Sequence, residues 1–366
     1  MPTREPFLPS LSLSLSLRME LGEPQRVQAL VQSGLSHLPS QYIQPPESQP
    51  SARRRPSGSG VPVVDLFHFD PNRSDDLREQ VRQLCREWGA FQVVNNGVPR
   101  RLLDEIRTVG FSFFNSPMPE KLKYSCDGSA AATEGYGSRM LTKEDGVLDW
   151  RDYFDHHTFP LSRRNPIRWP DSPPNYREVV TEYSECMKVL AQKLLRIISE
   201  GLSLPSSYIE EAVGEVYQNI TISYYPPCPQ PELALGLQAH SDMGAITLLV
   251  QDEVEGLEVF KDGEWVTVQP LSDAIVVILA DQTEIISNGE YISAQHRAIV
   301  NAHQPRLSVA TFYDPSKTRK ISPASELVTE YSPLRYHGVM YGDYVSAWYS
   351  KGPEGKRNID ALLVHH

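Results

Sequence analysis

Residues 237–249 read LQAHSDMGAITLL, and they set His240 and Asp242 two apart at the mouth of an apolar run. Such a run reads as a buried strand. Side chains alternate between the faces of a strand, so the imidazole and the carboxylate share a face while Ser241 points away. Two such groups can chelate a metal only if a third ligand arrives from elsewhere. His296, in YISAQHRAIV, lies on a later β-rich segment and supplies it. Two histidines and one carboxylate on one side of an ion form the facial triad of non-haem Fe(II) sites, which leaves three positions open. One carboxylate cancels one of the ion's two charges, so an anionic co-ligand is favoured there.

An anion held at one end by a metal needs an anchor at the other. Beyond His296 comes Arg306-Leu307-Ser308, on the next strand of an expected hairpin, with Arg306 and Ser308 on one face. A guanidinium fork with a hydroxyl suits a carboxylate. Two or three residues along a strand, at about 3.3 Å each, span roughly 7–10 Å, the scale of a small diacid. Taken singly, an HxD is most often a surface pair or a capped turn, and RxS carries little information. Zinc is the rival metal, but the HExxH of many zinc hydrolases is absent. His303, in NAHQPR, is placed in a turn facing solvent.

Working outward, the chain after about Asn219 consists of short β-rich runs: NITISYY, AITLLV, LEVF, EWVTV, AIVVILA, YISAQHRAIV and RLSVATFY. Asp-Gly, Asn-Gly and Pro signals separate them, the mark of an antiparallel sandwich or small barrel. Before them VPVVDL and FQVVNNGV read as strands, and residues 75–89, 99–114 and 176–202 as helices. This is an α+β arrangement around one β core, and a jelly roll is a main solution for so many strands. Four segments are expected: a flexible extension and linker over 1–60, a helical and β region over 61–215, the catalytic core over 216–320, and an aromatic-rich lid and tail over 321–366.

The 366 residues carry a net charge of −11, with 40% hydrophobic and 22% charged residues. An acidic balance argues against nucleic acid or an anionic membrane as partner. The basic knot Arg53-Arg54-Arg55 sits among Pro, Ser and Gly and reads as solvated linker. The four cysteines are widely spaced without CxxC, which favours a reducing compartment. No stretch reaches the eighteen or so apolar residues that span a bilayer. A cytoplasmic monomer is expected. The Ser-rich opening MPTREPFLPSLSLSLSLR leaves a chloroplast transit peptide as the alternative to an upstream extension before Met19.

With these motifs go YYPPCPQPELALGLQAHSD, WVTVQP, DQTEIISNGEYISAQHR and WGAFQVVNNGV, and at these residues the sequence resembles the plant 2-oxoglutarate- and Fe(II)-dependent dioxygenases. The resemblance covers about Val27 to Gly355. Through EGYGSRMLTKEDGVLDWRDYF it is similar to the branch of jasmonate-induced oxygenases and anthocyanidin-synthase-like enzymes. It implies a distorted double-stranded β-helix core with flanking helices, and Fe(II) on His240, Asp242 and His296. It also implies 2-oxoglutarate with its distal carboxylate on Arg306, Ser308 and Tyr225, and ascorbate as reductant. O2 and 2-oxoglutarate then drive hydroxylation, desaturation or demethylation of a small molecule, giving succinate and CO2.

The sequence departs from the family pattern at Ser223, where Asn is usual, at Ala280, where Gly is usual, and at Asn96 of the usual NHG. The resemblance brings Ser223 to the iron end of 2-oxoglutarate. Jasmonate-oxidising members resemble one another in arginines that hold a substrate carboxylate; Thr221, Val345 and Tyr349 stand at the matching places. The expected pocket is Tyr136, Phe154, Thr221, Phe312, Tyr313 and Asp314, closed by Tyr341 to Tyr349. Such a lining suits an aromatic or largely apolar metabolite or hormone with hydroxyl or amine handles. Tyr217, Tyr224 and Trp265 read as core. A 2-oxoglutarate-independent oxidase of the same fold, and a binding protein that retains the fold without catalysis, are the alternative functions.

Overall fold

A computed structural model describes residues 26–50, 60–67, 75–126, 134–138, 146–351 and 357–365. The leader, the arginine knot and residues 139–145 lie outside these. Helix α1 (Val27–Gln32) precedes β1 (Val63–Asp65), α2 (Asp75–Glu87), β2 (Ala90–Val94), α3 (Arg100–Phe114) and α4 (Met118–Leu122). Then come β3 (Gly135–Gly137), β4 (Asp152–Phe159), α5 (Tyr176–Gly201) and α6 (Tyr208–Val213). The strand-rich part runs through β5 (Tyr217–Tyr225), β6 (Leu237–His240), β7 (Ile246–Gln251), β8 (Leu257–Lys261), β9 (Glu264–Thr267) and β10 (Ile275–Leu279). After α7 (Asp281–Ile286) follow β11 (His296–Ala298), β12 (Arg306–Asp314), β13 (Lys320–Ile321), β14 (Val339–Met340), α8 (Tyr341–Lys351) and α9 (Arg357–Asp360).

Eight strands form a major sheet in the order β1-β2-β10-β7-β12-β5-β4-β3, and four form a minor sheet, β6-β11-β8-β9. Together they are the expected jelly-roll core. The pleat of the major sheet separates its two tasks. Ile220, Ile222 and Tyr224 of β5, Leu307, Val309 and Tyr313 of β12, and Ile246, Leu248 and Val250 of β7 join one apolar cluster with Phe113 of α3 and Leu190 and Leu194 of α5. Burying each such side chain contributes roughly 1.5–3 kcal/mol, so this face fastens the sheet to the helices. Gly110 of α3 permits the close approach, since a Cβ there would come within 3.0 Å of Leu307 and 3.1 Å of Ile222. The opposite face, with Thr221, Ser223, Arg306, Ser308 and Thr247, is left to line a cavity.

Several expectations are corrected. The first 60 residues are not all flexible extension: Val27, Leu30 and Tyr42 are buried with Trp150, Tyr225 and Val300. Asp152 of β4 accepts the Val27 and Gln28 backbone N–H groups at 2.9 and 3.0 Å, a carboxylate at the start of α1 where the helix dipole favours it. Gln44, within the same expected stretch, is also held: it is 2% exposed and its N–H reaches the Leu233 carbonyl at 2.8 Å. Strands β1 to β4, from the region set apart as 61–215, complete the same sheet as the core. In YISAQHRAIV only His296–Ala298 is strand, and DQTEII forms α7. The expected β11–β12 hairpin does not form: β11 pairs with β6 and β8, β12 with β5 and β7, in different sheets. Among the described residues no helix is long and apolar enough to cross a membrane.

Candidate active site

His240 ends β6 and His296 begins β11, and the two are register partners, which brings their ring centroids to 4.3 Å. Asp242 lies two residues past the strand end rather than on it, and the turn delivers its carboxylate to the same point. Asp242 Oδ1 is 3.3 Å from His240 Nε2 and 3.7 Å from His296 Nε2. One ligand atom from each residue lies within 4.8 Å of the others, and all three side chains are buried. Ligands at about 2.1 Å from an ion on adjacent octahedral positions stand about 3 Å apart, so the set needs little adjustment to close on a metal.

The hydrogen bonds around it fix its chemical state. Each histidine directs Nδ1 to a backbone carbonyl, His240 to Gln238 at 2.8 Å and His296 to Ala294 at 3.0 Å. With Nδ1 donating, Nε2 presents its lone pair to the metal position. Burial pushes His296 down to about 4, so it is neutral near pH 7, as a ligand must be. Burial opposes the Asp242 charge, but His296, His240 and Thr247 outweigh it and hold the carboxyl down to about 2. Thr247 Oγ1 donates to Asp242 Oδ2 at 2.6 Å and leaves Oδ1 for the metal. For His240, burial lowers the pKa while the Asp242 carboxylate raises it more.

The cavity opens from this point along the inner face of the major sheet. Arg306 pairs in register with Tyr225, and Ser308 with Ser223. The Arg306 guanidinium is 2% exposed, donates to Gln251 Oε1 at 2.8 Å and lies 5.1 Å from the Tyr225 ring centre. Its stem passes Gly256, where a Cβ would fall 2.4 Å from Arg306 Cδ. All four expected cosubstrate residues, Tyr225, Ser223, Arg306 and Ser308, line one cavity with the triad.

The six residues expected around the substrate divide between the cavity and the core. Thr221, Phe312 and Asp314 line the cavity. Tyr136, Phe154 and Tyr313 do not: Tyr136 and Phe154 are register partners on the core side of β3 and β4, and Phe154 packs on Phe113 at 5.2 Å. Tyr313 lies between Phe312 and Asp314 on β12, so the pleat turns it to the core, where it is 1% exposed. Conversely Tyr217, read as core, lines the cavity with the Arg163 guanidinium 4.7 Å from its ring centre. Helix α8 contributes Tyr341, Val345, Trp348 and Tyr349 to the lining.

Sequence reasoning passed over Arg151, Asp155, His157, Arg163 and Lys317, all in the lining. The pocket is thus not without cations, although they come from other places than Thr221, Val345 and Tyr349. Burial pushes Asp155 up to about 7, against the opposing Thr221 hydroxyl that donates to it at 2.6 Å. Burial does the same to Asp314, also to about 7, with Asp242 adding repulsion. DYFDHHTF mixes polar and aromatic residues on both faces, so no local signal singled out Asp155 and His157, which sit two apart on one face of β4.

A jelly roll that holds a buried two-histidine, one-carboxylate set beside an anchored guanidinium is the architecture of a non-haem metal oxygenase. Two family models match the chain, the 2OG-Fe(II) oxygenase superfamily over residues 217–315 and the non-haem dioxygenase in morphine synthesis N-terminal over 61–175. Jasmonate-induced oxygenase 4 of Arabidopsis thaliana is 39% identical over 342 residues, 92% of this chain and 96% of the relative. Leucoanthocyanidin dioxygenase of Petunia hybrida is 37% identical, covering 86% of this chain and 76% of the relative. A crystal structure of JOX2 in complex with 2OG, Fe and JA superposes with a TM-score of 0.86 at 38% identity, over 93% of this chain and 98% of that one. The chain belongs to the 2OG-Fe(II) oxygenase superfamily and is an Fe(II)- and 2-oxoglutarate-dependent dioxygenase.

Proposed function

We propose that the enzyme couples decarboxylation of 2-oxoglutarate to hydroxylation, desaturation or demethylation of a small, aromatic or largely apolar plant metabolite or hormone. The observation that carries the reading is the buried His240–Asp242–His296 set opening onto one cavity with Arg306 and Ser308. His240 and His296 bind Fe(II) through Nε2 and Asp242 through Oδ1. Arg306, Ser308 and Tyr225 take the distal carboxylate of 2-oxoglutarate, and Ser223 stands toward its metal end. The bound iron supplies the activation of O2 and the oxidation itself; the chain supplies position and a dry cavity. Thr247 holds the Asp242 carboxylate in one orientation, and the two backbone carbonyls hold both imidazoles in the ligating tautomer.

The substrate lies beyond the metal, against Phe312, Tyr341 and Trp348, with Thr221, Asp155 and Asp314 offering acceptors to its hydroxyl or amine groups. Arg163 at the same end acts on both acids, and Lys317 also lines the cavity there. The enzyme works as a monomer.

The test is succinate release by anaerobically purified protein given Fe(II), ascorbate, O2 and 2-oxoglutarate, with and without a panel of phenolic and hormone-like molecules. Slow succinate formation that rises with one panel member is expected and names the substrate class. Turnover without 2-oxoglutarate would point to the cosubstrate-independent oxidase; ligand retention without O2 consumption would point to a binding protein.

A further inference from the structure

The strongest group in the cavity that the triad and the Arg306 anchor leave unused is Arg151. It stands immediately before β4 and is 4% exposed. On β4 Asp152 pairs with Tyr224 and Tyr153 with Ser223, so Arg151, one residue before Asp152, falls on the face opposite it, the cavity face. Two guanidiniums therefore enter the cavity from opposite sides of β5: Arg306 from β12 and Arg151 from β4. By register Arg151 falls in the same cross-strand row as Tyr225 and Arg306, and the two side chains turn to different partners. Arg306 is tied at the far end by Gln251 Oε1 and the Val254 carbonyl, at 2.8 and 3.2 Å. Arg151 Nη1 instead donates to Ser223 Oγ at 3.2 Å, and its charge is felt at His240 and at the half-buried Asp149.

We propose that Arg151 is a second cation of the 2-oxoglutarate cradle, hydrogen-bonding the metal end of the cosubstrate beside Ser223. The proposal rests on the assignment of 2-oxoglutarate to this cavity. Its logic is replacement. At Ser223, where the family pattern carries Asn, a hydroxyl is too short to deliver an amide-like N–H to a bound oxygen. The guanidinium reaches over from the neighbouring strand and brings N–H groups to the same level, in a planar fork matched to a carboxylate. Tyr153, whose ring centre lies 5.5 Å from the Arg151 guanidinium carbon, helps hold the fork in place.

The test uses two 2-oxo acids. 2-Oxoglutarate engages both ends of the cradle, whereas pyruvate keeps the 2-oxo acid head and lacks the distal carboxylate. Dissociation constants are measured by calorimetry, anaerobically, with Mn(II) in the site. Removing a charged hydrogen bond costs about tenfold or more in affinity. Arg151→Gln is expected to weaken both ligands by similar factors of that order, without changing Mn(II) binding. Arg306→Ala is expected to weaken 2-oxoglutarate and leave pyruvate unaffected. Arg151→Lys, which keeps charge and most of the bulk, should lose less than Arg151→Gln, and it stands in if the glutamine variant does not fold. Unchanged affinities in Arg151→Gln, a loss confined to 2-oxoglutarate, or equal losses in the lysine and glutamine variants would each overturn the proposal. Failure of the underlying reading shows separately, as wild-type protein that binds no 2-oxoglutarate.

Discussion

The two ends of the cavity are built differently. Along the stretch from the triad to the cosubstrate anchor, side chains are pinned by one or two partners: His240 and His296 by carbonyls two residues back, Asp242 by Thr247, and Arg306 at the far end by Gln251 and Val254. At the outer end Asp155, His157 and Arg163 come from β4 and the segment after it, Lys317 from the loop after β12, and the wall from α8. That end mixes both charges and holds two carboxyls at about 7. The difference teaches where chemistry and selection can vary independently. Residues locked to the jelly-roll backbone tolerate no drift, whereas side chains on flanking elements can change without moving the metal.

The sharpest break in this comparison is His240→Ala. Two remaining ligands seldom hold Fe(II), so metal content and turnover should fall together, by three orders of magnitude or so in turnover. Metal analysis and O2 consumption on the same sample check it, and normal activity would dissolve the triad assignment. Next comes Arg306→Ala. The distal carboxylate loses a bidentate, buried partner, so the 2-oxoglutarate requirement should rise on the order of a hundredfold with iron retained. Gly256→Ala probes the same anchor more gently. Its Cβ would meet the Arg306 stem at 2.4 Å and the Ile299 carbonyl at 3.1 Å, so Arg306 must shift. About a tenfold weakening of 2-oxoglutarate is expected, again with iron in place, and none at all would mean that the stem has room to move.

The same contrast governs what could be read from the sequence. The triad, Arg306 and Ser308 were legible because their residue types are rare in apolar strands and their spacing obeys the pleat. Tyr136, Phe154 and Tyr313 misled because the strands that carry them are covered on both faces, so an aromatic side chain does not reveal which face it takes. DYFDHHTF hid β4, with its mixed polar and aromatic residues, and with it Asp155 and His157. Adjacency along the chain suggested a β11–β12 hairpin, but these two strands go to different sheets, a tertiary fact with no local signature. The packing of α1 rests on Asp152, a partner far along the chain that no window around Val27 contains.

The smallest effect contrasts one residue of each end, Asp155 and His296, by the sign of its response to pH. Asp155 is raised in the fold to about 7, from an ordinary carboxyl value of 3.8, mainly by burial. Between those values the folded chain binds a proton that the unfolded chain has released, so stability fully present below about 4 is lost as pH rises through 7. His296 works the other way: lowered to about 4 from 6.5 by burial, it stays neutral in the fold where the unfolded chain is protonated, so stability is lost as pH falls through that window. In metal-free protein Asp155→Asn should therefore gain melting temperature over wild type as pH rises from 5 to 8, and should flatten, without abolishing, the loss on the alkaline side. Asp314, also at about 7, keeps a share of that slope. Thermal melts of both proteins across the range decide it. Parallel curves would mean that Asp155 is already ionised in the fold at pH 5, held by Arg151 and Arg163, and the outer end would then be as firmly charge-paired as the metal end.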